Sequence, residues 1–135
     1  MALPQTGTYT INITPPGLQS LSAAIAITKN VAQALTPGTA HSQTLNFGVQ
    51  AGEAARFTFT VASGQSATAS LSGGTTTPSG AQIWMGVYNL NQGYVTGAAT
   101  TSGETLNLNL SAGTYYLWIG PETMVTSGAV QFSFQ

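Results

Sequence analysis

The sequence contains very little charge. Only 4% of its 135 residues are charged, and the formal net charge is −1, whereas about a quarter of the residues of an ordinary globular chain are charged. Its two basic residues, Lys29 and Arg56, lie far apart along the chain. Nucleic-acid phosphates and anionic membrane surfaces require clustered cations, so we expect neither to be a partner.

The side chains that support most catalytic and metal chemistry are also scarce. The chain has no cysteine, no aspartate, one histidine (His41) and three glutamates (Glu53, Glu104 and Glu122). The chain has no aspartate that could orient His41 in a catalytic triad and no cysteine that His41 could activate. Glu53 and Glu104 each follow a glycine in a turn-like context. We therefore expect no enzymatic activity, no cofactor and no metal site. We interpret His41 as an exposed or hydrogen-bonded residue at the start of a strand.

Long apolar runs are missing as well. No stretch reaches the roughly 20 residues that a membrane-spanning helix needs. The N-terminal residues lack the basic region and the apolar run of a secretory signal. We expect no membrane insertion and no signal peptide in the chain as given.

Alternation of apolar and polar residues with a period of two is the dominant pattern. In the run 56–61, Phe57, Phe59 and Val61 share one face and the threonines between them share the other. About eight to ten such short strands, separated by turn residues, favour an all-β antiparallel sandwich of the jelly-roll or immunoglobulin-like class. Further strands of this kind are predicted at residues 8–14, 67–72, 105–110 and 129–134.

Two runs, residues 82–89 and 114–119, are apolar on both faces and predict central strands. Residues 89–93 have the composition of a hairpin turn that returns through Tyr94. The glycine-rich run 73–77 has no following lysine, so we interpret it as a flexible loop and not as a phosphate-binding loop.

Residues 17–35 fit two structures. Leu18, Leu21 and Ile25 belong to a helical stripe, and Pro37 with Gly38 would end a helix well. The same segment also alternates as a strand would, and its β-branched residues favour the strand. Both interpretations remain open at this point.

The order of these segments resembles a known family. The most specific piece is Ala-Gly-Thr-Tyr-Tyr-Leu-Trp-Ile at residues 112–119, which follows matching segments at 51–61, 67–72, 82–88 and 104–110 and precedes one at 130–134. From about residue 32 to 135, the chain resembles the bacterial pre-peptidase C-terminal domain. The resemblance implies a β-sandwich module of the kind appended to secreted peptidases and other extracellular enzymes. Residues 1–31 lie outside it, and we predict that they form an N-terminal, strand-bearing extension or arm.

The sequence departs from that family at two places. The family commonly has aspartates before the strand that matches residues 83–88 and in its following turn, where they help to bind calcium. Here residues 79–82 and 89–92 contain no carboxylate, and calcium prefers such ligands, so we expect no calcium site. The family also usually has an outward-facing polar or basic residue near the position of Trp118, and the tryptophan here changes the chemistry of that surface.

Four aromatic residues are the main candidate binding site. By strand parity, Trp84, Tyr88, Tyr116 and Trp118 point away from the apolar face of their strands. If the two strands are neighbours, the four rings form one patch on the sheet. Such a patch is a candidate binding site, because Trp and Tyr favour protein interfaces and sugar contacts. Three interpretations are open for this patch: coverage by the N-terminal arm, a subunit interface, or a glycan site.

The N-terminal arm is a candidate assembly segment through Tyr9, Ile11 and Ile13, which share one face of the predicted strand 8–14. We expect a non-enzymatic structural or interaction protein, a surface or decoration subunit of a virion or an extracellular assembly. Its partner would be itself or another structural protein, and it would be found on a virion surface or outside the cell. The alternative is an extracellular carbohydrate- or protein-binding module like those appended to secreted hydrolases.

Overall fold

A computed structural model describes Gly17 and residues 31–48, 54–123 and 125–135. They form β-strands in two sheets. Sheet A has the order β1-β3-β8-β5-β6, and sheet B has the order β2-β9-β4-β7. The strands are β1 (Val31–Ala34), β2 (His41–Phe47), β3 (Ala55–Val61), β4 (Ala67–Thr77), β5 (Ile83–Asn89), β6 (Gly93–Thr100), β7 (Glu104–Leu108), β8 (Gly113–Pro121) and β9 (Ser127–Phe134).

This architecture confirms the all-β sandwich. The described strand pairs are antiparallel, except that β1 runs parallel to β3. Described residues form no helix long and apolar enough to cross a membrane.

The core lies between the two sheets and follows from the alternation in the sequence. Strand β3 is buried at every second residue from Ala55 to Val61, while the residues between them are exposed. Phe57 of sheet A stacks on Phe132 of sheet B, with ring centroids 4.6 Å apart. Phe59 meets Phe134 at 5.2 Å. Burial of one such side chain contributes about 1.5–3 kcal/mol, so these aromatic contacts hold the sheets together.

Residues 73–77 do not form the flexible loop that the sequence suggested. Strand β4 continues through them to Thr77. The pairing with β9 shifts register between Ser72 and Thr75, and Gly73 takes a φ of 62°. A glycine in this left-handed conformation accommodates a β-bulge without steric cost, after which the strand resumes its pairing.

The hairpin between β5 and β6 forms as the turn composition predicts. The Asn89 side-chain oxygen Oδ1 accepts hydrogen bonds from the backbone N–H groups of Asn91 (2.8 Å) and Gln92 (3.2 Å). Asparagine is favoured in turns because its side chain closes the chain in this way.

Several sequence predictions lie outside the described residues. They include the strand at 8–14, with Tyr9, Ile11 and Ile13, and most of the ambiguous segment 17–35. The described end of that segment forms the edge strand β1.

Candidate functional site

The four predicted aromatic residues lie together on the outer face of sheet A. Strands β5 and β8 are neighbours, and Tyr88 is directly opposite Tyr116 in their register. Trp84 and Trp118 lie on the same face of these strands, and all four side chains are half-buried. Strand parity places the four side chains on one face, and the pairing of β5 with β8 brings them together.

A fifth aromatic ring, Tyr94, belongs to the same surface and was missed from the sequence. Strand β6 places Tyr94 directly opposite Tyr88, and its side chain is 56% exposed. A register shift between Val87 and Tyr88 sets this pairing. The hairpin turn was the signal that would have found Tyr94. We call Trp84, Tyr88, Tyr94, Tyr116 and Trp118 the aromatic face.

The tyrosines and Arg56 form a continuous stack across four strands. The guanidinium carbon of Arg56 lies 4.2 Å from the centroid of the Tyr116 ring. The Tyr116 ring is 4.8 Å from that of Tyr88 and inclined to it by 6°. Tyr94 meets Tyr88 edge-on at 5.6 Å. Because β8 lies between β3 and β5, Tyr116 has Arg56 on one side and Tyr88 on the other. Tyr116 therefore has neither ring face free for a flat ligand.

Glycines allow the indole of Trp84 to lie close to the sheet. A Cβ atom at Gly97 would come within 2.6 Å of Cζ2 of Trp84, and a Cβ atom at Gly86 would collide with its Nε1. In the register of β5 and β8, each tryptophan is opposite a glycine: Trp84 faces Gly120 and Trp118 faces Gly86. This alternation provides room for two large rings on neighbouring strands.

Trp118 differs from the other four rings. Stacked or edge contacts join the other members of the aromatic face, whereas among the described residues no such ring pair includes Trp118. It lies directly opposite Arg56 in the pairing of β8 with β3. Trp118 therefore offers a ring whose face is not engaged by any other aromatic residue that the structure describes.

Arg56 contributes a positive charge to the outer face of sheet A. Arg56 is the one basic residue that the structure describes, and it is exposed. Glu104 begins β7 in the opposite sheet, and Glu122 follows the end of β8. Within the described ranges, no three histidine or acidic side chains come together as metal ligands would.

The outer face of sheet B has a different chemistry. Thr44 donates a hydrogen bond to Oε1 of Gln131 (2.8 Å), and Nε2 of Gln131 donates one to Ser42 (2.8 Å). The hydroxyl oxygens of Ser70 and Thr105 lie 3.1 Å apart and share a hydrogen bond. Small hydroxyl and amide groups thus satisfy one another across the strands, which explains how a surface with so little charge remains polar.

His41 is not the exposed or hydrogen-bonded residue expected from the sequence. Its side chain lies on the core side of β2, with ring centroids 6.1 Å from Phe57 and 6.0 Å from Phe132. Its Nε2 atom is buried and has no hydrogen-bond partner among the described residues. The cause is parity, because residue 41 shares the inward face of β2 with Leu45 and Phe47.

Comparison with known proteins identifies the fold. No protein-family model matches the chain, and no curated protein sequence matches it. Its structure is similar to the pre-peptidase C-terminal domain of a collagenase from Bacillus anthracis, with a TM-score of 0.58 and 20% identity, over 79% of this chain and 97% of that one. A periplasmic inhibitor of g-type lysozyme from Aeromonas hydrophila, PliG, aligns with a TM-score of 0.42 and 14% identity, over 79% of this chain and 100% of that one. The first similarity confirms a fold like that of the pre-peptidase C-terminal domain.

Proposed function

We propose that the protein is a non-catalytic binding module of the extracellular type, whose aromatic face holds an extended polymer such as a polysaccharide or a fibrous protein. The observation that carries the proposal is the gathering of five partly exposed rings and one arginine on the outer face of a single sheet. Trp, Tyr and Arg are the residues enriched at binding hot spots. The similarity in fold to a domain of a collagenase supports the type of module.

The positions of the few reactive side chains support a non-catalytic role. Among the described residues, His41 is half-buried beside the stacked rings of Phe57 and Phe132. Glu104 begins β7 in sheet B, whereas Glu122 follows the end of β8 in sheet A. A paired-carboxylate mechanism needs two such groups about 5–10 Å apart in one cleft. The two glutamates that the structure describes lie at strands of different sheets, which does not favour such a pair.

Binding to a panel of insoluble polysaccharides and fibrous proteins tests the proposal. We expect Trp118→Ala and Trp84→Ala each to weaken retention on the bound polymer at least tenfold, since hot-spot aromatics carry most of the binding free energy. The matched control is Asn107→Ala, an exposed residue on β7 of sheet B, which should leave retention unchanged. Retention on no polymer, or equal retention by all variants, would contradict the proposal.

A self-associating structural subunit, on a virion or in an extracellular assembly, is the second candidate. It is favoured by a cluster of exposed apolar side chains at the β5–β6 hairpin: Leu90 (51% exposed), Tyr94 (56%) and Val95 (41%). A net charge of −1 also opposes association between copies very little. The likeness to a collagenase domain gives no support to a place on a virion. Sedimentation velocity separates the candidates, because a subunit forms a defined oligomer and the binding module sediments as a monomer.

A further inference from the structure

Arg56 contacts the edge of the aromatic face through Tyr116. It is exposed on β3, and its guanidinium lies over the Tyr116 ring instead of over Trp118, which is directly opposite it. A guanidinium over an aromatic ring retains its N–H donors for a second partner, because the ring attracts the cation without accepting its planar fork of hydrogen bonds. Such a planar fork of donors matches the two oxygens of a carboxylate.

Trp118 provides an apolar surface beside that fork. In an antiparallel pair, side chains directly opposite each other have Cβ atoms about 4.5–5.5 Å apart. Arg56 and Trp118 form such a pair, and the guanidinium of Arg56 lies over Tyr116, whereas the Trp118 side chain is half-buried beside it. A ligand that joins a ring with apolar C–H faces directly to a carboxylate fits this arrangement, because the ring contacts the indole while the carboxylate reaches the guanidinium.

Small, uncharged residues flank the pair on the neighbouring described strands. Ala32 on β1 lies next to Arg56, and Gly86 on β5 lies next to Trp118, so the row has small residues on both sides. Neither β3 nor β8 contains a carboxylate that would repel an acidic ligand.

From these contacts we infer that Arg56 and Trp118 form a subsite for a hexuronate unit, and that the polymer bound by the aromatic face is an acidic polysaccharide. This inference rests on the proposed function, because it assigns the ligand chemistry of the same face. In a hexuronate the carboxylate is attached directly to the pyranose ring, which is the combination that the two side chains fit. Trp118 contributes ring contact, and Arg56 selects for the charge.

Titration calorimetry with polygalacturonate, alginate and hyaluronate tests the subsite, and fully methyl-esterified polygalacturonate provides a neutral ligand with the same backbone. We expect at least one of the acidic polymers to bind, and the acidic form to bind at least tenfold more tightly than its neutral counterpart, with an affinity that decreases as salt increases. Arg56→Gln should remove that preference, Arg56→Lys should keep part of it, and Trp118→Ala should weaken binding of both forms.

The control variant is Asn107→Asp on sheet B, which changes the net charge by the same single unit as Arg56→Gln and should leave the affinity unchanged. An equal loss in the control variant would assign the effect to overall charge and overturn the subsite. Retention of a neutral polymer through Trp118, without preference for the acidic form, would overturn the subsite while keeping the proposed function. Binding of polyglutamate in place of the uronates would overturn the assignment to a sugar, and binding of no polymer at all would reject both proposals.

Discussion

Replacement of Phe57 by alanine is expected to lower the free energy of unfolding by about 3–5 kcal/mol. The Phe57 side chain is 0% exposed, and its ring stacks on Phe132 across the interior, 4.6 Å between centroids. Its loss removes a contact that joins the two sheets and leaves a cavity. Since domains are typically stable by only about 5–15 kcal/mol, the variant should unfold at a much lower urea concentration.

The matched control is Thr58→Ala, the next residue of β3, whose side chain is exposed on the opposite face. Exposed substitutions of this kind change stability by about 0.5 kcal/mol or less. Equilibrium urea unfolding followed by circular dichroism measures both variants. A loss below about 1 kcal/mol in Phe57→Ala would contradict the assignment of this stack to the centre of the core.

Replacement of Gly86 by alanine is expected to displace Trp84 and Tyr88 from the sheet. The added Cβ atom would collide with Nε1 of Trp84 and come within 2.9 Å of Cε2 of Tyr88. Overpacking of this kind costs about 1–3 kcal/mol, and the displaced indole should become more exposed to water. Fluorescence in a Trp118→Phe background reports Trp84 alone, and its emission should shift to longer wavelength.

Gly113→Ala is the control for that experiment. Gly113 belongs to β8 of the same sheet, but a Cβ atom there meets its nearest neighbours at 3.4 Å, an ordinary contact distance. It should leave the Trp84 spectrum unchanged. An unchanged spectrum and unchanged stability in Gly86→Ala would show that the glycine does not set the position of the indole.

Local periodicity was sufficient to predict most of the described strands and the shared face of four aromatic residues. The alternation in 56–61 fixes which side of β3 is buried, and the same parity places Trp84 and Trp118 on the outer face. These features depend only on the period of two in an extended chain, which the sequence displays directly. The placement of Tyr88 opposite Tyr116 additionally required that β5 and β8 be neighbours.

The features that sequence reasoning missed depend on register between distant strands or on irregularities. Arg56 meets Tyr116 and Trp118 only because β3 pairs with β8, more than 50 residues later in the chain. Tyr94 reaches Tyr88 through a register shift. Gly73 allows β4 to continue through a bulge, where composition alone suggested a loop. A shift of one residue in any of these pairings would move the side chains to the other face.

The fold of this protein does not determine its ligand. Similar sandwiches support many activities, so the likeness to a collagenase domain describes the scaffold. The proposed function depends instead on particular side chains of this chain, above all Trp84 and Trp118 on β5 and β8. Their role as a binding surface is the central claim.

Chemical-shift mapping tests that claim most directly. A 15N-labelled sample is titrated with a soluble fragment of the polymer that the protein retains, and amide and indole signals are followed in two-dimensional spectra. We expect the largest shifts at the indole N–H groups of Trp84 and Trp118 and at the backbone amides of β5 and β8, with little change in β2 and β7. Shifts confined to sheet B, with both indole signals unmoved, would contradict the account.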